Sequence, residues 1–222
     1  MYRRLAKRLG PLDLPRRLDP MEELIFTVLS QNTSDVNRDR AFAAMRERFP
    51  TWEALAAARS GDLAAAIRPG GLSNVKAPRI LAILREIADR EGGTLDLSWM
   101  ARAKDDDVRD YLTSLPGVGP KTAACVLAFS LGRPALPVDT HVFRVARRLG
   151  FLDERTGAGG AHEVMARLVP RRLQVRMHVG MIRLGRQICR AGRPSCEVCP
   201  LSDLCPTAPS VLAGKWKAPA RR

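Results

Sequence analysis

Apolar residues recur every three or four positions along most of the chain, the spacing that places them on one face of an α-helix. The segment PMEELIFTVLSQ is an example, and its apolar face consists of Leu24, Ile25, Val28 and Leu29. The alternating pattern typical of half-buried β-strands is scarce. The hydrophobic pattern therefore predicts helices rather than a sheet.

Further segments repeat this helical pattern, and short stretches that contain Gly or Pro connect them. They read RDRAFAAMRERFP, TWEALAAA, SGDLAAAI, NVKAPRILAILREIADREGG, DDDVRDYLTSL, PKTAACVLAFSLG, DTHVFRVARRLGF, AHEVMARLVP and RRLQVRMHVGMIRLGRQIC. Thr51 is the predicted N-cap of the TWEALAAA helix. We therefore predict an all-α protein of about ten helices, in which the basic, proline-containing chain after Pro206 is disordered.

The chain of 222 residues carries 37 Lys and Arg against 23 Asp and Glu, a formal net charge of +14. This excess favours a polyanionic partner such as nucleic acid, because each neutralised phosphate releases counterions. A basic surface also keeps proteins in solution, so the charge alone leaves both interpretations open.

The sequence contains no run of about 18 apolar residues, the length that a transmembrane helix requires. Its basic N-terminus also lacks the apolar stretch of a signal peptide. We therefore expect no membrane association and a reducing, cytoplasmic location. Disulfides are rare in such a compartment, so the five cysteines point to another use.

The segment LPGVGPKTA between two predicted helices has the composition of a tight hairpin turn. Its glycines tolerate positive φ, and Pro120 suits the first position of the following helix. The backbone N–H groups of Gly117, Val118 and Gly119 would then be free at a helix start, which is a binding site for phosphate. An ordinary connection between two helices is the alternative interpretation.

Lys121 stands at the start of the helix that follows this turn. A positive charge is unfavourable there because the N-terminal end of a helix is itself positive. A lysine that must act as a neutral amine is favoured at such a position. Neutral lysine amines attack electrophilic carbons such as C1′ of a deoxyribose and form Schiff bases. A simple contact to a DNA phosphate is the alternative role.

Asp139 precedes another predicted helix in the segment VDTHVFRV. Its default role is an N-cap, in which the carboxylate accepts a backbone N–H. A capped carboxylate is also held ionised and fixed in direction. It is therefore suited to stabilising a developing oxocarbenium ion or to managing a proton on a nearby amine.

Four of the five cysteines are concentrated near the C-terminus with the spacing C-x6-C-x2-C-x5-C, namely Cys189, Cys196, Cys199 and Cys205. Four thiolates in one short loop can ligate either a structural zinc ion or an iron–sulfur cluster. Zinc sites usually combine two CxxC pairs, whereas this segment has one, so the spacing favours a 4Fe–4S cluster. The remaining cysteine, Cys125, is expected to be a small buried apolar residue.

Taken together, the hairpin, the aspartate segment and the cysteine spacing resemble the endonuclease III family of helix-hairpin-helix DNA glycosylases. The resemblance extends from about residue 20 to Cys205. It implies a two-lobed all-α fold with a six-helix barrel domain at residues 22–133. It also implies a cluster domain formed by residues 1–21 and 134–207, followed by a basic tail at 208–222.

The resemblance further implies an activity in base excision repair. A bifunctional glycosylase and AP lyase would remove oxidised pyrimidines from duplex DNA and cut the abasic site by β-elimination. Lys121 would be the Schiff-base nucleophile and Asp139 its acidic partner, while the four C-terminal cysteines would hold the 4Fe–4S cluster. We expect a monomer that binds damaged double-stranded DNA in the bacterial nucleoid.

Two short segments resemble loops with which the family probes DNA. In GLSNVKA, Leu72 occupies the position of an apolar wedge that fills space beside the extruded nucleotide. In LSQNTSD, counting back from Asp35 places Asn32 rather than Gln31 where the family usually has a glutamine, and either amide can contact the widowed base. This departure leaves the range of damaged bases open.

Two other functions remain as alternatives. One is a glycosylase for alkylated or mismatched bases, which the unusual LSQNTSD segment also suits. The other is a non-enzymatic DNA-binding or redox-sensing iron–sulfur protein, which would require Lys121 and Asp139 to be incidental.

Overall fold

The structure is a computed structural model that describes residues 1–13 and 18–217. Within those ranges it contains α-helices, shorter helical turns and no β-strand, which confirms the predicted all-α class. The helices are α1 (Tyr2–Leu9), α2 (Pro20–Leu29), α3 (Asp35–Arg48), α4 (Trp52–Ala56), α5 (Ser60–Ala66), α6 (Ser73–Arg90), α7 (Asp105–Thr113), α8 (Pro120–Cys125), α9 (Thr140–Arg148), α10 (Ala158–Leu168), α11 (Gln174–Gln187) and α12 (Ala208–Leu212).

Side-chain caps define where several of these helices begin. The side chains of Asp19, Ser34, Thr51 and Asp139 each accept a hydrogen bond from the backbone N–H three residues later. These bonds satisfy N–H groups that have no partner inside the helix. The prediction of Thr51 as an N-cap is confirmed.

The chain divides into two compact units, one comprising Arg17–Arg133 and the other combining Met1–Arg16 with Pro134–Arg222. The first unit contains α2 to α8, and the second contains α1 and α9 to α12. The division expected from sequence placed its boundaries after residues 21 and 133 and separated residues 208–222 as a tail.

In the unit Arg17–Arg133, α2 is a central helix that packs against α3, α6 and α8. Its predicted apolar face is confirmed, since Leu24, Ile25, Val28 and Leu29 are all completely buried. Burying a side chain of this size contributes about 1.5–3 kcal/mol to folding. The last helix of the unit, α8, continues as a π-helical turn over Val126–Ser130.

In the second unit, α11 packs against both α9 and α1. Helix α1 was not predicted; half of its residues are basic, and Leu5 is its one completely buried residue. None of the helices in the described ranges is both long and apolar enough to cross a membrane.

The prediction of disorder after Pro206 is wrong for the start of that segment. Residues Ala208–Leu212 form α12, in which Ala208 and Val211 are buried together with Cys196, and Trp216 packs against them. The short helix persists because it covers the cysteine segment with these apolar side chains. Residues 218–222 of the predicted tail lie outside the described residues.

Candidate active site

The predicted hairpin lies between the end of α7 at Thr113 and the start of α8 at Pro120. Gly117 has a φ of 69°, as expected for a glycine turn, whereas Gly119 is extended with φ −104° and ψ 178°. The expectation of positive φ at both glycines is therefore wrong for Gly119.

The hairpin also differs from expectation at Val118. Its N–H donates to the carbonyl of Leu115 at 3.1 Å, and its side chain is buried. The N–H of Val118 is therefore occupied in closing the turn and does not point outward. In the described part of the chain, the N–H groups of Gly117 and Gly119 have no backbone acceptor, so they remain the candidates for phosphate binding.

Arg79, on α6, connects the hairpin to the segment that follows α2. Its guanidinium lies so close to Gly117 that a Cβ there would be 2.7 Å from Arg79 Nε. The same guanidinium donates to Gln31 Oε1 at 2.9 Å. Arg79 could not be recognised from the sequence, because nothing in its own helix indicates a contact with residues so distant along the chain.

Asn32 and Leu72 have an unusual backbone conformation. Among the described residues they are the two non-glycine residues with positive φ, at 52° and 51°. Asparagine tolerates the left-handed region, but for leucine it is costly. Leu72 is also 53% exposed, although its side chain is large and apolar. Strained and exposed conformations of this kind cluster at functional sites.

A buried ammonium group donates hydrogen bonds to both of the segments that carry these residues. Lys76 is 2% exposed, and its Nζ donates to the carbonyls of Leu29 at 2.7 Å and Gly70 at 2.9 Å. Leu29 ends α2 just before Asn32, and Gly70 lies two residues before Leu72. Burial lowers the pKa of Lys76. This lysine was also not singled out from the sequence.

Lys121 is partly buried at the first turn of α8 and belongs to a cluster of polar groups between α8 and α2. The cluster includes the thiol of Cys125, which interacts with the side chains of both Lys121 and Thr27. The hydroxyl of Thr27 in turn donates to Glu23 Oε1 at 2.9 Å. Cys125 is buried as predicted, but it has polar neighbours.

The environment of this cluster changes the protonation of two of its members. Burial raises the pKa of Glu23 from 4.5 to about 7, although Thr27 and the positive charges of Lys121 and Arg38 lower it. Burial likewise raises the pKa of the Cys125 thiol to about 11, so that thiol stays protonated at neutral pH.

Asp139 belongs to the unit that contains α9 and caps that helix. Its Oδ1 accepts from the N–H of Val142 at 2.7 Å, so the predicted capping role is confirmed. The bond fixes the direction of the carboxylate and leaves its second oxygen for other contacts. The side chain is partly exposed.

The four C-terminal cysteines line one cavity of the second unit. The other lining residues include the apolar side chains of Val145, Leu184, Ile188 and Leu201. Burial and the neighbouring thiols raise the pKa of Cys196 to about 11, and burial also raises that of Cys199. Ionising Cys196 and Cys199 would therefore require a positive charge close to their sulfur atoms. Within the described residues, no three His, Cys, Asp or Glu side chains converge on the position of a single metal ion.

Arg148 organises the loop around this cavity. Its guanidinium donates to Cys189 Sγ at 3.3 Å and to the carbonyl of Arg190 at 2.7 Å. It also donates at 3.2 Å to the carbonyls of both Ala191 and Gly192. These bonds connect the end of α9 to the loop that carries Cys189.

With this geometry established, comparison with known proteins assigns the class. Residues 25–171 match the HhH-GPD superfamily of base excision DNA repair proteins, so the chain belongs to that family. It is 37% identical to endonuclease III of Thermotoga maritima over 190 residues, which cover 86% of this chain and 84% of the relative.

Further relatives agree with this assignment. Endonuclease III of Bacillus subtilis is 32% identical over 84% of this chain and 81% of its own length. A solved structure of a trapped covalent intermediate between endonuclease III and DNA superposes with a TM-score of 0.82. Its sequence identity is 31%, and the match covers 95% of both chains.

Proposed function

We propose that this protein is a bifunctional DNA glycosylase and AP lyase of base excision repair. The observation that carries the proposal is the lysine at the start of α8, partly buried beside the hairpin glycines in a chain of the HhH-GPD family. A lysine placed only to keep the protein in solution would not need that position.

Binding begins with the phosphate backbone of duplex DNA. The N–H groups of Gly117 and Gly119, at the positive end of α8, donate hydrogen bonds to a phosphate, and the basic excess of the chain adds non-specific attraction. Leu72 and Asn32 then occupy the space left when the damaged nucleotide leaves the helix. Extruding a base costs a few kcal/mol, and less for a damaged pair, so this step helps to select lesions.

The chemical step uses Lys121 as a nucleophile. Its amine attacks C1′ of the extruded nucleotide, and the bond between C1′ and the base breaks. The resulting Schiff base makes the proton on C2′ acidic, so β-elimination cuts the strand on the 3′ side. Asp139, fixed in direction by its cap, supplies the carboxylate that stabilises positive charge on the sugar.

We propose oxidised pyrimidines as the substrates, following the resemblance to endonuclease III. A preference for alkylated or mismatched bases is the second candidate, because Asn32 stands where the better-known branch has glutamine. A set of duplexes that carry one lesion each separates the two. The activity belongs where the chromosome lies, in the bacterial cytoplasm.

The cysteine cavity suits a 4Fe–4S cluster held by Cys189, Cys196, Cys199 and Cys205. The support is that the four thiols line a cavity. A 4Fe–4S cluster needs such a space, because its iron and sulfide ions lie between the four cysteine ligands. These four cysteines would hold the cluster, which would supply positive charge that offsets the charges of their thiolates.

Trapping with borohydride tests the proposal directly. Borohydride reduces a Schiff base to a stable amine, so active enzyme mixed with lesion-containing duplex DNA should form a covalent adduct. Lys121→Gln should lose at least about 99% of that adduct and still bind abasic DNA. The matched control is Lys104→Gln at an exposed lysine. Active wild-type protein that forms no adduct would contradict the role of Lys121.

A further inference from the structure

We infer that Glu23 is the residue that takes the proton from Lys121, acting through the side chains of Thr27 and Cys125. The inference rests on the proposed function, because it assigns the partner of the amine that attacks the sugar. No resemblance to a family motif singled out Glu23, and in the sequence it is simply an acidic residue near the start of a helix.

The first observation is that Glu23 is buried where a negative charge is energetically unfavourable. It is 5% exposed on α2, where Leu24, Ile25 and Val28 are completely buried. A carboxylate in such surroundings destabilises the fold unless it is compensated, and an apolar residue would pack without that cost. Its neighbour Glu22 is only partly buried and already places a carboxylate in the first turn, so the helix dipole does not require Glu23.

A structural ion pair does not account for this residue either. In the part of the chain that the structure describes, Glu23 makes no salt bridge. Its direct partner is the hydroxyl of Thr27, one turn further along the same helix. The carboxylate is therefore buried, accepts one neutral donor and retains capacity for a proton.

The second observation is a group of neighbouring side chains between α2 and α8 that can pass on a proton. The Thr27 hydroxyl contacts the Glu23 carboxylate at 2.9 Å, and the Cys125 thiol interacts with Thr27 and with Lys121. Hydroxyl and thiol groups both donate and accept, so they can relay a proton without holding one. The series begins on α2 and ends at the first turn of α8.

The charges around Glu23 make it the titrating member of the series near neutrality. Burial raises its pKa to about 7 against the positive charges of Lys121 on α8 and Arg38 on α3. From α6, Lys76 contacts α2 at the carbonyl of Leu29, at the opposite end of the helix. A proton acceptor works best when its pKa lies near the working pH.

The proton balance of the step closes without another reactant. Lys121 as an ammonium carries three protons, and one passes to the carboxylate of Glu23. The exposed lone pair forms the bond to C1′, and the bond to the base breaks with its electron pair on the base. The substituted nitrogen gives a second proton to the departing base and keeps the third.

The test is the pH dependence of trapping under single-turnover conditions, from about pH 5 to about pH 9. The wild-type rate should fall on the acid side of about pH 7, as Glu23 becomes protonated. Glu23→Gln should lose this limb and react about 100-fold more slowly at neutral pH. Glu23→Asp should restore part of the rate. Glu22→Gln, from the same turn of α2, is the matched control and should behave as wild type.

Thr27→Val is a second variant that tests the inference, and it keeps the volume of the side chain. It removes the relay hydroxyl and the hydrogen bond that favours the ionised form of Glu23. Its acid limb should therefore move to higher pH and its rate should fall. A pH profile that both Glu23→Gln and Thr27→Val share with the wild type would overturn the inference. Wild-type protein that gives no adduct at any pH would instead contradict the proposed function itself.

Discussion

Because Glu23 is buried and its pKa is raised, its ionised form lowers the free energy of unfolding at neutral and alkaline pH. The unfolded chain releases this proton near pH 4.5, whereas the folded protein holds it until about pH 7. Between these values the folded state binds more protons, so the free energy of unfolding falls as the pH rises. Below pH 4.5 both states are protonated, and the cost is absent.

We therefore expect Glu23→Gln to stabilise the protein at about pH 8 by up to roughly 3 kcal/mol, and to have little effect at about pH 4. The neutral amide removes the cost of burying a charge and keeps a similar shape. Urea denaturation at both pH values measures the difference. An equal loss of stability at both would mean that Glu23 has only a packing role. A substitution that stabilises the protein but slows its reaction usually marks a functional residue.

Two residues near the candidate active site, Lys76 and Arg79, could not be recognised from the sequence. Lys76 and Arg79 act through bonds to segments that are distant along the chain, the first to Leu29 and the second to Gln31. Neither has a spacing or a neighbour in the sequence that predicts such a bond. By contrast, the cap formed by Asp139 depends on an N–H three residues away, and it was predicted.

At the scale of elements, the apolar periodicity predicted α2 to α11. It failed for α1 and α12, which lie in basic segments near the two ends of the chain that contain few large apolar residues. The hairpin turn was predicted from its glycines, but the roles of the two glycines differ. Gly117 needs its conformation, whereas Gly119 has a backbone that any residue can adopt.

This difference predicts that alanine destabilises the protein at Gly117 but not at Gly119. Gly117→Ala places a Cβ at a φ of 69° and 2.7 Å from Arg79 Nε, so it should cost about 1–2 kcal/mol in stability. It should also weaken binding to abasic DNA, because Arg79 must move. Gly119→Ala has extended backbone and no atom within 4 Å of the new Cβ, so its stability should be unchanged. Thermal denaturation and a binding titration check both, and equal losses would contradict the assigned geometry.

At the scale of the whole molecule, the two units differ in the interactions that stabilise each of them internally. The unit Arg17–Arg133 surrounds α2 with completely buried apolar side chains. Between α11 and α12 the chain has only short helical turns, at Cys196–Val198 and Ser202–Leu204, and it buries few apolar residues. We therefore expect the stability of this segment to depend on the four cysteines and on Arg148.

Replacing one of these cysteines should release that segment alone. We expect Cys199→Ala to abolish bound iron and to expose the arginines of residues 189–205 to trypsin. The unit Arg17–Arg133 should remain resistant, since its core does not include the cavity. Cys125→Ala is the control, because Cys125 does not line the cavity, and it should keep its iron. Iron and sulfide analysis with limited proteolysis gives the result. Wild-type protein purified without oxygen and still free of iron would contradict the cluster.

The sequence by itself determined the helical class, the hairpin, the aspartate cap and the group of four cysteines. Each of these follows from interactions between residues that are close along the chain, such as a periodic apolar face or a fixed ligand spacing. Only the tertiary structure decided that Glu23 is buried in the same cluster as Lys121, that Lys76 joins two loops, and that Leu72 is strained. Those properties depend on which segments pack together, because burial and long-range hydrogen bonds exist only after α2, α6 and α8 have come into contact.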